Sequence, residues 1–342
     1  QSWLGVEATD LNFALDFAPL TLEVTNGTLA LNEAPDGKDK LDWTQAIAEA
    51  GAPFDLSVAD TVDLSVSGDA SITFDDLLTV EGSFALDQFD VTLDTDLAYA
   101  QLGADATGLA LTLSVSGAAS SGGVSGSGTL QLLQLSNTAG QSWLGVEATD
   151  LNFALDFAPL TLEVTNGTLA LNEAPDGQDK LDWTQAMAEA GAPIDLSVAD
   201  TLDLSVSGDA SITFENLLTV EGSFALDQFD VTLNTDPGYA QLGAGATGLA
   251  LSLSVSGAAS SGGVSGSGTL QLLQLTNTAG QSWLGVEATD LNFDLEFAPL
   301  TLAVTNGTLA LNEAPDGQDK LDWSKAIAEA GAPFDLSVAD TV

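Results

Sequence analysis

The stretch Val62-Asp63-Leu64-Ser65-Val66-Ser67-Gly68-Asp69-Ala70-Ser71-Ile72-Thr73-Phe74 alternates apolar and polar side chains almost without a break. The alternation continues through Leu78, Val80, Phe84 and Leu86, all even-numbered, while the odd positions between them are mostly Asp, Ser, Thr and Glu. A period of two marks a half-buried β-strand, because successive side chains point to opposite faces of a sheet. One face is dry and the other wet. Asp75-Asp76, which becomes Glu215-Asn216 in a later copy, supplies a turn. The phase flips near Asp87-Gln88, so that Phe89, Val91 and Leu93 point in and Asp90, Thr92, Asp94 and Asp96 point out. A one-residue flip of this kind predicts a β-bulge or a turn. Asp90, Asp94 and Asp96 then form an acidic stripe on an outer face, where side chains two apart repel one another or share a cation.

Two hairpins follow from turn chemistry. Asn26-Gly27 carries the strongest short hairpin signal, since a type I′ turn needs positive φ at both central residues. Pairing about it sets Val24 opposite Leu29 and Leu22 opposite Leu31, apolar against apolar. A turn at Ser121-Gly122, or at Gly122-Gly123 with the same parity, sets Leu113 opposite Leu130 and Leu111 opposite Leu132. One segment is not β. Asp42-Trp43-Thr44-Gln45-Ala46-Ile47-Ala48-Glu49-Ala50-Gly51 predicts a short helix with Asp42 as N-cap, Gln45 completing a capping box and Gly51 at C′. Trp43, Ala46, Ile47 and Ala50 form its apolar stripe. So short a helix must pack on the sheet.

The unit repeats. QSWLGVEATDLNF begins at Gln1, Gln141 and Gln281, a period of 140 residues. Residues 1–140 and 141–280 differ at only 12 positions. The chain therefore holds repeat 1 (1–140), repeat 2 (141–280) and part of a third (281–342). The junction Leu135-Ser136-Asn137-Thr138-Ala139-Gly140-Gln141 has the length of a loop and not of a linker. Continuous stacking, in which each copy buries its ends on its neighbours, is expected. Trp3, close to the junction, is placed to staple one copy to the next. The predicted fold is all-β: an elongated, mostly antiparallel β repeat structure, a β-solenoid-like or ribbon-like stack, with one short helix per 140-residue repeat. Directly joined β-sandwich domains are the alternative.

Composition narrows the function. The chain has 50 Asp and Glu against 5 Lys, with no Arg, His or Cys, and a net charge of −45. Without Cys there is no disulfide or thiolate ligand, and without His no Ser-His-Asp triad. So acidic a chain repels phosphate backbones and anionic membrane surfaces. No run of about 18 apolar residues predicts a transmembrane helix. The chain opens on Gln1-Ser2-Trp3 without a basic or apolar leader, and reads as a slice of something longer. An Asp-rich, Lys-poor surface suits salty water, where charges are screened within about 10 Å.

The densest acidic loop is Glu33-Ala34-Pro35-Asp36-Gly37-Lys38-Asp39-Lys40-Leu41-Asp42. Asp36, Asp39 and Asp42 are candidate calcium ligands, since calcium takes several oxygen donors. The same set recurs as Asp176, Asp179 and Asp182, and as Asp316, Asp319 and Asp322. The spacing is not that of an EF-hand, and the plain alternative is a solvated turn followed by an N-cap. Gly122-Gly123-Val124-Ser125-Gly126-Ser127-Gly128 lacks the lysine and the strand-to-helix setting of a phosphate loop, and reads as a turn and a Gly-rich strand. Trp43 belongs to the core through its place on the helix stripe.

Leu78-Thr79-Val80-Glu81-Gly82-Ser83-Phe84-Ala85-Leu86-Asp87-Gln88 and Ala106-Thr107-Gly108-Leu109-Ala110-Leu111-Thr112-Leu113-Ser114-Val115-Ser116-Gly117 resemble the tandem β repeats of very large secreted bacterial surface proteins of adhesin-like type. The resemblance implies an extracellular, acidic, Cys-free β protein and transfers no site residues. The expected function is therefore structural: a repeat of a giant extracellular protein that forms a fibre, a stalk or a cell-surface layer, without catalysis. Self-association through repeat stacking or neighbouring chains, with divalent cations, is the expected partnership. A carbohydrate- or ice-binding adhesin repeat is the rival, favoured by an exposed flat row of Thr or Trp.

Overall fold

The computed structural model describes all residues except 1, 18–19, 36, 75–77, 92–101, 104, 120–122, 185–191, 216–217, 232–241, 260–262, 298–299, 325–331 and 335. The predicted turns at Asp75-Asp76 and Ser121-Gly122, and the residues Leu93, Asp94, Asp96 and Asp36, lie wholly outside the described set.

The first repeat contributes β1 (Leu4–Phe17), β2 (Leu20–Glu33), α1 (Trp43–Ala50), β3 (Val62–Phe74), β4 (Leu78–Asp90), β5 (Thr107–Ala119) and β6 (Val124–Ser136). The second contributes β7 (Ser142–Phe157), β8 (Leu160–Glu173), β9 (Leu202–Phe214), β10 (Leu218–Asp230), β11 (Thr247–Ala259) and β12 (Val264–Thr276). The third adds β13 (Ser282–Phe297) and β14 (Leu300–Glu313). These fourteen strands form one sheet in simple sequence order, β1 to β14. The described pairings are all antiparallel, so the fold is all-β and a meander, with the hairpin as its building step. The chain divides into two compact units, residues 1–149 with 172–200, and residues 150–171 with 201–342.

Register follows the alternation. β3 and β4 pair Phe74 with Leu78, Ile72 with Val80 and Val66 with Leu86. The phase flip near Gln88 is not a bulge of β4, which runs unbroken against β5 through Asp87 and Gln88 and so turns Phe89 to the face opposite Leu86. The bulge lies on the facing strand, where Asp63 is the extra residue between the Val62–Phe89 and Leu64–Gln88 pairs. Leu113 pairs with Leu130 and Leu111 with Leu132, as the Gly-rich turn requires.

The hairpin expected at Asn26-Gly27 is not there. β2 runs straight through these residues and pairs with β1, Val24 opposite Phe13 and Leu31 opposite Val6. Asn26 is left-handed (φ 53°), as the turn chemistry demanded, but it serves a bulge inside the strand. Asp10 is left-handed too (φ 55°), and both strands shift register there. Asn26 N donates to Asn12 Oδ1 at 3.1 Å, and Asn26 Nδ2 to Asp69 Oδ2 at 2.8 Å. A Cβ on Gly27 would fall 2.9 Å from Leu11 O, so only glycine fits the close approach.

The helix forms as its caps dictate. Asp42 Oδ1 accepts from Gln45 N at 3.2 Å, and Gly51 is left-handed (φ 63°) with its N–H on Ile47 O. Ile47 is its buried residue. In the later copies the segment opens helically at Trp183 and Trp323 before running outside the described residues.

The register gives the sheet two unlike faces. In the second unit Val206, Leu226, Leu251, Leu272, Val286 and Leu311 stand opposite one another across successive strands on one face. On the other face the hairpin ends carry Ser211, Glu221, Ser256 and Ser267. The opposite strand ends of that second face, beneath the loop-and-helix excursions, hold the core. There Phe229, Leu242, Leu273 and Leu275 of the second repeat form one buried cluster with Trp283, Leu321, Trp323 and Leu336 of the third. In the first unit Phe89, Leu102, Leu133, Leu135, Trp143, Leu181, Trp183 and Leu196 are buried at the same repeat positions.

Candidate functional site

The repeat junction is a tight turn. Asn277 N donates to Gln281 O at 3.0 Å, Gly280 N to Asn277 O at 2.9 Å, and Asn277 Nδ2 to Gln281 Oε1 at 3.0 Å. Gly280 takes φ 77°, a conformation that suits glycine. The ladder resumes at once, with Thr276 opposite Ser282 and Leu275 opposite Trp283. Trp143 and Trp283 are fully buried, as expected of a residue that staples one copy to the next. Trp283 Nε1 donates to Asp319 O at 3.1 Å, so the indole also ties the acidic loop to the sheet.

Asn32 was not visible as a key residue in the sequence. It sits at an inward position of β2 with 1% exposure. Its Nδ2 donates to Leu41 O and to Ala59 O, both at 2.8 Å, and its Oδ1 accepts from Trp43 Nε1 at 2.9 Å. One buried amide thus holds both ends of the excursion and the helix's Trp. Asn172 and Asn312 repeat the arrangement. The indole lies on a strand glycine: a Cβ on Gly145 would fall 2.6 Å from Trp183 Cε2. Glu7 Oε2 adds a clamp from Ser57 N at 2.8 Å, repeated by Glu147 and Glu287. Parity gave no signal for Asn32, which is out of phase with Leu29 and Leu31; the one pointer was the nearby Trp43, whose indole needs an acceptor.

Lys40 recurs at Lys180 and Lys320 in a chain with 5 lysines. Lys40 Nζ reaches Asp63 Oδ1 and Asp90 Oδ2, each at 2.6 Å, with 10% of its side chain exposed. Burial lowers its pKa, but the hydrogen bonds and charges of Asp63 and Asp90 outweigh that and leave it raised. Asp90 of the acidic stripe therefore has a structural partner.

Six of the nine candidate calcium ligands take part in hydrogen bonds within the fold, three through backbone oxygens and three through carboxylates. The Asp39, Asp179 and Asp319 backbone oxygens accept from Trp3, Trp143 and Trp283. Asp42 caps α1, Asp182 Oδ1 accepts from Thr184 N at 3.1 Å, and Asp322 Oδ1 from Ser324 Oγ at 2.6 Å. Among the described residues, Asp176 and Asp316 included, no group of three or more carboxylates is gathered to hold a metal ion.

Two open grooves mark the polar face of the second unit. One, of about 560 Å³, is lined by Thr219, Glu221, Ser256, Ser267, Asn292 and Asp294. The other, of about 450 Å³, shares Glu221 and Ser256 and adds Glu163, Asp209 and Ser254. Carboxylates interrupt the hydroxyl rows, and Trp143, Trp183, Trp283 and Trp323 are all buried, so no described Trp of these four is offered to a ligand. No described helix is long and apolar enough to cross a membrane. Protein-family models, curated proteins and solved structures yield no match to this chain.

Proposed function

We propose that this chain is a structural repeat of a giant extracellular protein, building a fibre, a stalk or a cell-surface layer, without catalysis. The observation that supports it is the core of the second unit, to which two successive repeats contribute Leu275 and Trp283 side by side. A copy whose core is completed by its neighbour is built to be joined. Copy number then sets length, and the near-identity of the first two repeats fits selection for length over chemistry. The extracellular setting rests on the resemblance to secreted surface repeats and on the absence of Cys, His and Arg from a strongly acidic chain. The test compares chains of one, two and three complete repeats in thermal unfolding. Midpoints that rise with copy number support the reading; equal midpoints mean independent beads and defeat it.

A further inference from the structure

Among the described residues the apolar face of the sheet is open along the hairpin ends and on β14, whereas Val286 and Ala288 of β13 are buried on it. In the second unit one row runs Leu169, Val206, Leu226, Leu251, Leu272, Val286 and Leu311 across seven strands, each opposite the next in the ladder. A second row nearer the hairpin ends runs Leu162, Ile212, Val220, Gly257, Gly266, Phe293 and Val304. Neither row contains a charge. Ile212 is 45% exposed, Phe293 40% and Val304 43%. The first unit repeats the pattern in Ala8, Leu29, Val66, Leu86, Leu111 and Leu132.

The extent of this face can be worked from sheet geometry. Strands about 4.8 Å apart and a two-residue step of about 6.6 Å give each side chain about 32 Å² of face. Six strands with about six such positions each present about 1,100 Å² per repeat. The largest patches on monomeric proteins are about 300–600 Å². A standard interface takes about 800 Å² from each partner. The footprint of one repeat's apolar face is therefore larger than the contact a stable dimer needs.

We infer that this apolar face is covered by the same face of a second copy of the chain, so that two sheets close into a two-layer sandwich. Three observations favour that occupant. The face is made of Leu, Val, Ile, Phe, Ala and Gly, the residues of a sheet-on-sheet core. Gly257 and Gly266 stand between Val220 and Phe293 in the ladder, so large and small residues alternate across the strands as they do in interdigitating sheets. Charge is segregated, because Glu163, Asp209, Glu221 and Asp294 line the opposite face and stay in water when apolar faces meet. A lipid surface fits less well. Membrane strands carry aromatic girdles at both interfaces. Here Trp143, Trp183, Trp283 and Trp323 belong to the core on the other face, and among the described residues the apolar face has no Trp or Tyr.

The inference deepens the structural reading but does not share its test, since stacking along one chain and pairing between chains are read separately. The chain lacks Cys, so single thiols report cleanly. The whole 342-residue chain is made as Ile212→Cys on the apolar face and as Ser254→Cys on the polar face. Sedimentation equilibrium and maleimide labelling are measured on both in detergent-free buffer at about 0.5 M salt, where the charge repulsion is screened. The expected result is about twice the 34.8 kDa chain mass, with Ile212→Cys labelled at least tenfold more slowly than Ser254→Cys. In denaturant the two rates converge. A chain of single mass with equal labelling overturns the inference. So does slow labelling at Ser254→Cys instead, which would place the contact on the polar face. Flotation of the chain with phosphatidylcholine vesicles, with Ile212→Cys protected only there, assigns the face to lipid and also overturns it. None of these outcomes alters the copy-number test above.

Discussion

Replacing Asn172 with Ala removes the amide that ties the excursion of the second repeat to β8. Three groups lose their partner: Leu181 O, Ala199 O and Trp183 Nε1. Asn172 is 1% exposed and Trp183 fully buried, so water does not readily replace the bonds. At about 1 kcal/mol net for each bond, the loss is about 3 kcal/mol, and unsatisfied buried groups push it higher. A chain of near-identical repeats need not unfold in one step, so a global midpoint is the wrong readout. Local opening is the right one, because hydrogen exchange reads the free energy of each segment. The Trp183 amide, which donates to Val198 O at 3.0 Å, reports on the excursion. At 1.4 kcal/mol per decade, about 3 kcal/mol corresponds to exchange about a hundredfold faster. The equivalent amides of Trp43 and Trp323, bonded to Val58 O and Val338 O, serve as controls in the same molecule. Met187 and Ile194 replace Ile47 and Phe54 of the first copy, so the peptides differ in mass. Acceleration of the Trp183 amide by less than tenfold would refute the claim that this side chain pins the excursion.

Three further outcomes follow from the same geometry. Gly145→Ala places a methyl 2.6 Å from the fully buried Trp183 ring, and is expected to cost about 1–3 kcal/mol in thermal unfolding; a neutral or stabilising effect would show the indole has room. Lys40 has a raised pKa, so its ion pairs with Asp63 and Asp90 contribute fully below the unfolded value near 10.5 and fade as pH rises through the folded value. Wild type should therefore lose stability relative to Lys40→Gln above about pH 10.5, and parallel curves through that range would count against the pairs. Chelation by EDTA should leave the melting curve unchanged, because the described Asp176, Asp179 and Asp182 are not gathered around a metal position; a drop in midpoint would favour the calcium reading.

The strands and the helix caps were legible because each is a local pattern. Alternation set the face and Asp42 and Gly51 set the helix ends, while the flip at Asp87-Gln88, expected as a bulge or turn, marks where the buried side chains pass to the other face of an unbroken β4. Asn26-Gly27 misled for a definite reason. Pairing about residues 26 and 27 and the observed pairing of β1 with β2 both set odd positions against even ones, so both put apolar against apolar. Parity tests which face a residue takes and says nothing of where the chain reverses. Positive φ at Asn26 was a true requirement, and a bulge meets it as well as a turn does. Asn32 was missed because alternation places it on the wet phase of β2 with Thr28 and Ala30, out of step with Leu29 and Leu31, and the core lies on that face at this end of the strand. Its worth comes from Leu41, Ala59 and Trp43, 9, 27 and 11 residues away, which no local window joins.

Near-identical copies create a hazard that the junction turn answers. β7 and β13 share the run from Ser to Phe in SWLGVEATDLNF, so β6 meets the same ladder on either. Side chains cannot choose between them. Chain connectivity can. From Ser136 to Ser142 the chain closes a loop of about 6 residues, whereas from Ser136 to Ser282 it would close about 146, and the entropy difference is about 3 kcal/mol in favour of the near partner. The turn adds Asn137 Nδ2 on Gln141 Oε1 at 2.9 Å and Asn137 Oδ1 accepting from Gln141 N at 3.0 Å, bonds that only the sequential pairing forms. The strand order β1 to β14 is what this bias produces. Lengthening the junction with a flexible insert of about 20 residues cuts the loop-closure advantage to about 1.5 kcal/mol. Exchange of strands between copies should then rise by about an order of magnitude, which links the tightness of a seven-residue junction directly to the fidelity of an assembly built from interchangeable parts.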